Sequence, residues 1–202
     1  QAMEYTYAQI GVAVPARDAL LSYVGMSLDL IFPQLSPELD AAQHVALSQG
    51  YRDSYFYMRQ KSGSAETSPF FAGMRDVLDQ LKTQDWTLLA VATGKSKRGL
   101  DKLIEGHGLE GYFQSQQVAD FHPSKPHPAM VEACLTECGV DAAQTVMIGD
   151  TTFDIDMGRS ARVKTIGVSW GYHDTKLLKA DRIVTTPDAI IPAIDDLIGP
   201  AQ

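Results

Sequence analysis

Two short apolar runs constrain this chain most. Residues 87–92 (TLLAVA) and 145–148 (TVMI) each stop abruptly at a polar turn, Thr93-Gly94-Lys95 after the first and Gly149-Asp150 after the second. Runs this short, continuous rather than alternating, fit strands buried on both faces. Around them apolar residues recur at helical spacing. Phe71, Met74, Leu78 and Leu81 mark a helix before the first run, and helices are predicted over 96–107, 127–138, 153–162 and 187–198. Further short strands are predicted at 116–119, 164–168 and 182–185. Strands alternating with helices predict an α/β fold, a parallel sheet with helices on both faces. Ligands of such sheets gather outside the carboxyl ends of the strands, so the residues just after each strand are the informative ones.

The first sixty residues read differently. Leu20, Val24, Leu28, Ile31 and Leu35 recur at helical spacing, as do Tyr51, Tyr55 and Met58, and no strand is predicted before residue 85. Pro15 suits the first turn of a helix, and Pro33 and Pro37 are expected to break the pattern between helices. Six of the eight tyrosines (Tyr5, Tyr7, Tyr23, Tyr51, Tyr55, Tyr57) lie here, read as the core and rim of a helical bundle. The small polar segment 61–69 (KSGSAETSP) is a linker candidate. The expected organisation is a helical domain over 1–62 and an α/β domain over 63–202.

Composition excludes several classes. Net charge is −8, from 17 Lys+Arg against 25 Asp+Glu, which argues against a nucleic-acid binder. No stretch approaches the roughly 18 apolar residues of a membrane span. Two cysteines are too few for a disulfide scaffold and point to a reduced, cytoplasmic setting. The chain opens Gln1-Ala2-Met3, so a processed or missing upstream segment is expected.

Three clusters carry chemistry. Thr93-Gly94-Lys95-Ser96 offers a hydroxyl and a glycine turn at a helix N-terminus, which is either an anion seat or an ordinary helix cap. In Ser124-Lys125-Pro126-His127-Pro128, prolines on both sides fix the backbone round a lysine. That lysine either reaches a phosphate or holds a carboxylate charged, or it is a solvated loop residue. Gly149-Asp150-Thr151-Thr152-Phe153-Asp154 delivers two carboxylates four residues apart at a strand-to-helix junction. They suit a hard divalent cation, or else cap the helix.

Thr93, Lys125 and Asp150/Asp154 follow one another in this order, each after a predicted strand. With them the chain resembles the haloacid dehalogenase (HAD) superfamily, in its phosphoglycolate-phosphatase-like branch. The resemblance runs through VATGKSKRGL, SKPHPAM and MIGDTTFDIDMG and continues weakly through IGVSWGYH. It implies a HAD-like Rossmannoid sheet, with residues 1–62 as an α-helical cap. It implies a phosphatase acting with Mg²⁺ on a small phosphorylated substrate, as a monomer or weak homodimer. Thr93, Gly94, Lys95 and Lys125 would bind the phosphoryl group, and Asp150 and Asp154 would serve the metal. Thr93, Lys125 and Asp154 are the catalytic candidates. The family's Asp-x-Asp-Gly-Thr motif, whose first Asp becomes an aspartyl phosphate, is not found. Asp18 and Asp29 do not follow a buried strand. The strand carrying that motif is central in the family sheet, and its loss would leave two unpaired edges. The expectation is that it lies upstream. Alternatives are a catalytically inactive phosphate binder or interaction module and, among enzymes, a sugar-phosphate mutase or a pyrophosphatase. Ala161-Arg162 stands where the family often has Ala-Gly, which puts the turn after that helix in question.

The remaining candidates read as structural. Cys134 and Cys138 are expected in the core. His122, His127, Lys97 and Arg98 read as solvated, and Trp170, Gly171 and Tyr172 as rim packing. Arg17 is a candidate partner for a substrate carboxylate.

Overall fold

The computed structural model describes residues 2–200. Four helices come first: α1 (Ala2–Gln9), α2 (Arg17–Leu21), α3 (Leu28–Leu35) and α4 (Ala41–Ser62). They close round the fully buried Tyr7, Phe32 and Leu47, with Leu28, Leu39 and Tyr51 packed at the edge. The phenol of Tyr7 shares a 2.8 Å hydrogen bond with the Ser36 hydroxyl, which satisfies its one polar atom inside the cluster. Two proline expectations are corrected. Pro33 lies inside α3 rather than between helices. The carbonyl that loses its donor belongs to Asp29, which is exposed, so water serves it at little cost. Pro15 precedes the cap residue Ala16 and so lies outside the first turn of α2.

The polar segment 61–69 is mostly helical. After α4 comes the single residue Gly63, at φ +79°, and then α5 (Ser64–Thr67). Ser, Ala and Glu tolerate a helix, so only the glycine interrupts it. The rest alternates: α6 (Met74–Lys82), β1 (Leu89–Thr93), α7 (Lys97–His107), β2 (Phe113–Val118), α8 (Ala129–Cys138), β3 (Val146–Gly149), α9 (Thr152–Ser160), β4 (Lys164–Val168), β5 (Arg182–Val184) and α10 (Ile190–Ile198). Phe71 falls outside α6 and is exposed.

All strand pairs are parallel. β1 pairs with β2, and β3, β4 and β5 form a second sheet in that order. Ile166 and Val168 of β4 pack with Val77 and Leu81 of α6 and Ile190 of α10. On the other face, α9 comes so close that a Cβ on Gly158 would stand 2.8 Å from Met147 and 2.9 Å from Thr165. Both faces are thus covered, as the continuous apolar runs require. Among the described residues β1 and β3 share no ladder. Between them lies a cleft of about 910 Å³, lined by Ala90–Ala92, Val146–Ile148 and side chains of α6, α8 and α10. The sheet therefore stands as two half-sheets with their inner edges unpaired by any strand.

The turn after α9 bears out the question raised at Ala161-Arg162. Arg162 is the one described non-glycine residue at positive φ, +61°. Its N–H bonds the Arg159 carbonyl at 3.0 Å, and the Val163 N–H bonds the Gly158 carbonyl at 3.1 Å. This is a Schellman motif whose left-handed position usually holds glycine.

Candidate active site

Three strand-end segments meet under one turn of the helical domain. The backbone oxygen of Gly25 presses on Gly94, where a Cβ would stand only 2.6 Å from it. Gly25 also touches Thr151: a Cβ on Gly25, at φ +104°, would lie 3.3 Å from the Thr151 hydroxyl. Two residues on, the Ser27 N–H donates to Ser124 Oγ at 3.0 Å, beside Lys125. The segments that bear Thr93, Lys125 and Asp150/Asp154 are thus all roofed by residues 25–27.

Lys125 is buried, 7% exposed, and its Nζ donates to Asp154 Oδ1 at 2.6 Å. The other oxygen of Asp154 accepts from the Thr151 N–H at 3.1 Å and the Thr151 hydroxyl at 2.7 Å. Thr151 returns the bond to the Asp154 N–H, which completes a capping box on α9. The two readings of Asp154 therefore combine in one carboxylate, with one oxygen for the helix and one for the lysine. Both oxygens of Asp154 are thus engaged by protein donors. The approach needs Gly149, since a Cβ there would fall 2.1 Å from that of Asp154.

Asp150 stands differently. Its Oδ2 accepts from the Tyr172 N–H at 3.0 Å, and no ion pair reaches it among the described residues. Burial pushes its carboxyl above the ordinary aspartate range. The Tyr172 N–H opposes this, neighbouring Asp154 adds to it, and Lys125 offsets part of it. A half-buried carboxylate without a cation of its own suits a hard divalent ion, which takes one or two carboxylates and keeps its waters and substrate oxygens. Gly171 makes the fit possible, because a Cβ there would stand 2.0 Å from Asp150 Cβ. Gly171 and Tyr172, read from sequence as rim packing, thus position a candidate ligand.

Thr93 ends β1, and its hydroxyl accepts the Lys95 N–H at 3.2 Å, which leaves its own hydrogen free to donate. The capping role in this segment falls to Ser96, whose side chain accepts from the Gly99 N–H. Lys95 departs from the expectation of an anion ligand. Its ammonium lies over the Tyr55 ring of α4, 5.5 Å from the centroid, where the ring face attracts the cation. The end of α7 already holds an anion of its own: Asp120 accepts the Lys97 N–H at 2.8 Å. Arg98 lies over Phe56. Arg17 is exposed at the start of α2. His122 pairs with Gln117 and His127 with the Ala129 N–H, so both are locally engaged. Cys134 is buried with its Sγ on the Val91 carbonyl.

Sequence reasoning missed Gly25 and assigned no role to Ser124 or His173, although both lie in segments it singled out. His173 accepts from the Thr152 N–H through Nδ1 at 3.1 Å and reaches the Ser22 carbonyl through Nε2 at 3.1 Å. The signal for it was its place in the loop after β4, five residues past the strand end and at the close of the IGVSWGYH segment.

Comparison with known proteins agrees with this geometry. Residues 1–168 match the family described as haloacid dehalogenase-like hydrolase. A probable phosphatase, IndB, of Dickeya dadantii is 35% identical over 189 residues, covering 92% of this chain and 78% of that protein. A phosphoglycolate phosphatase of Agrobacterium fabrum is 29% identical over 199 residues, covering 95% and 83%. The crystal structure of a haloacid dehalogenase-like hydrolase from Bacteroides fragilis superposes with a TM-score of 0.83 at 20% identity, covering 94% of this chain and 90% of that one.

Proposed function

Because the chain belongs to the haloacid dehalogenase-like hydrolase family, we propose that it is a Mg²⁺-dependent phosphatase of small phosphate monoesters, with phosphoglycolate the first to test. The observation that carries this reading is the buried Lys125 ammonium, held by Asp154 within electrostatic reach of Asp150 at the end of β3. Phosphoryl transfer needs positioning and charge neutralisation more than covalent help from the protein. Lys125 supplies a fixed positive charge there. Thr93 donates its hydroxyl hydrogen to a phosphoryl oxygen. Asp154 keeps the lysine in place through the helix it caps. Asp150 would hold the Mg²⁺, with Asp154 behind it rather than on it. That ion, when bound, offsets the negative charge of the transferring group.

The reaction calls for a carboxylate nucleophile that forms an aspartyl phosphate. We place it on a further parallel strand seated in the cleft between β1 and β3, where two open strand edges face each other. Such edges demand partners in a buried sheet. Residues 1–62 serve as the cap and 63–202 as the catalytic domain. The cap turn at 25–27 shields the seat from water, as phosphatase chemistry in a closed site requires.

The test is phosphate release with and without Mg²⁺ across phosphoglycolate, sugar phosphates, pyrophosphate and an aryl phosphate. Metal-dependent release that Lys125→Ala abolishes supports the reading, and turnover insensitive to Lys125→Ala would sink it. Preference for pyrophosphate, or transfer between sugar positions, would move it to a pyrophosphatase or a mutase. The open cleft favours one rival, a phosphate binder without turnover. Calorimetry showing phosphate and Mg²⁺ uptake with no release would establish that instead.

A further inference from the structure

His173 joins two parts of the molecule that no covalent segment near it connects. Its backbone N–H donates to the Asp150 carbonyl at 3.2 Å. Its ring stands edge-on to Phe153, with centroids 5.5 Å apart, and Phe153 lies under Gly25. The hydrogen bonds set its tautomer. The Thr152 N–H at the start of α9 only donates, so Nδ1 accepts. The Ser22 carbonyl only accepts, so Nε2 carries the hydrogen and donates. Both ring nitrogens are spent, one on the helix that carries Asp154 and one on the cap.

We propose that His173 is a positioning residue that latches the cap turn 22–27 onto the first turn of α9. One side chain then sets both the roof over Thr93 and the strand end that presents Asp150. The second tie, from the Ser27 N–H to Ser124, holds the far end of the same turn. The latch is a local device. It acts through a backbone carbonyl of the cap, so the identity of Ser22 does not matter but the reach of residue 173 does. Its bearing on substrate choice rests on the phosphatase reading: a latched turn favours small leaving groups, and an unlatched one admits bulky ones.

Two variants separate latching from general packing. In His173→Asn the amide oxygen takes the place of Nδ1 and keeps the Thr152 bond, but the side chain is too short for Ser22. In His173→Gln the amide nitrogen reaches Ser22. Amide hydrogen exchange of the metal-free protein is the primary readout, and it needs no turnover. The expected result is about fivefold faster exchange at the Met26 and Ser27 amides in His173→Asn, the worth of one neutral hydrogen bond. Exchange in α9 should be unchanged, and His173→Gln should restore the wild-type rate in the turn. Unchanged exchange at 26–27 in His173→Asn, or equal acceleration throughout α9, would overturn the latch. The second readout is the kcat/KM ratio of an aryl phosphate to phosphoglycolate, expected to rise about fivefold in His173→Asn. Absence of phosphate release by the wild type would count against the phosphatase reading alone, since the exchange result stands without it.

Discussion

Replacing Arg162 by glycine should stabilise the protein. Arg162 occupies the left-handed position of the Schellman turn after α9, at φ +61°. A residue with a Cβ pays about 1–2 kcal/mol for that conformation. Glycine escapes this strain but loses roughly 0.5–1 kcal/mol through the greater freedom of its unfolded chain. The difference leaves about 0.5–1 kcal/mol in favour of glycine. The arginine side chain is exposed, so little packing is forfeited. The two closing bonds, from residues 162 and 163 to the Arg159 and Gly158 carbonyls, involve only backbone and survive the change. For a chain of this size each kcal/mol moves the midpoint by about 2–4 °C, so Arg162→Gly should raise Tm by about 1–4 °C. Thermal unfolding followed by circular dichroism measures this, with Arg162→Ala as the control. Alanine removes the same side chain yet keeps the strain, and should leave Tm near the wild-type value. The reasoning is refuted if glycine and alanine behave alike, or if glycine lowers Tm. Turnover should not change, because the turn lies at the far end of α9 from the site, about 13 Å along nine residues.

Lys125→Met strands the Asp154 carboxylate next to an apolar side chain. It should cost about 3 kcal/mol in urea unfolding, the low end for a broken buried pair, because Thr151 still serves one oxygen. Gly171→Ala would place a Cβ 2.0 Å from Asp150 Cβ, so the backbone has to move; it should weaken Mg²⁺ binding about tenfold by calorimetry and lower the unfolding midpoint as well. Burial pushes the Asp181 carboxyl up, but the backbone and hydroxyl bonds from Thr165 outweigh it and hold the group below the usual aspartate range. Its contribution to stability is therefore complete above the unfolded value of about 3.9 and is lost as pH falls through the folded one. Thr165→Val removes one of those donors, so acid unfolding should set in at higher pH by a few tenths of a unit.

Much of this molecule was legible in its residue pattern because local rules and tertiary structure agree. The run at 145–148 ends where β3 ends within a residue, since a buried strand must stop where polar chain begins. Thr93, Lys125 and Asp150 were visible because parallel sheets bring ligands to strand ends. The destination of Lys95 was not, because the aromatic face that draws it comes from Tyr55, forty residues earlier. Pro33 misled for a related reason: a proline ends a helix only if the freed carbonyl has nowhere to turn, and Asp29 faces water. The contacts of Gly25, Ser124 and His173 with the rest of the site were not legible either. Their roles are contacts between the two parts of the chain, and in each the partner from the helical part is a backbone atom, the Gly25 oxygen, the Ser27 N–H or the Ser22 carbonyl, which leaves no mark in the sequence.

The cleft between the half-sheets has a metrical consequence. Thr93 rides on the plate formed by β1 and β2, and Asp150 follows β3 on the other plate. No strand ladder fixes the distance between these plates among the described residues, so in the proposed phosphatase the gauge of the phosphate seat would be set by the strand placed in the gap. On the proposed reading, a phosphoryl group held between the Thr93 hydroxyl and a cation on Asp150 would tolerate little error in that gauge, since a misplacement of about 1 Å can cost a hundredfold in rate. On that reading folding and chemistry would share one dimension: a strand that completed the sheet would also set the spacing of the two sides of the seat.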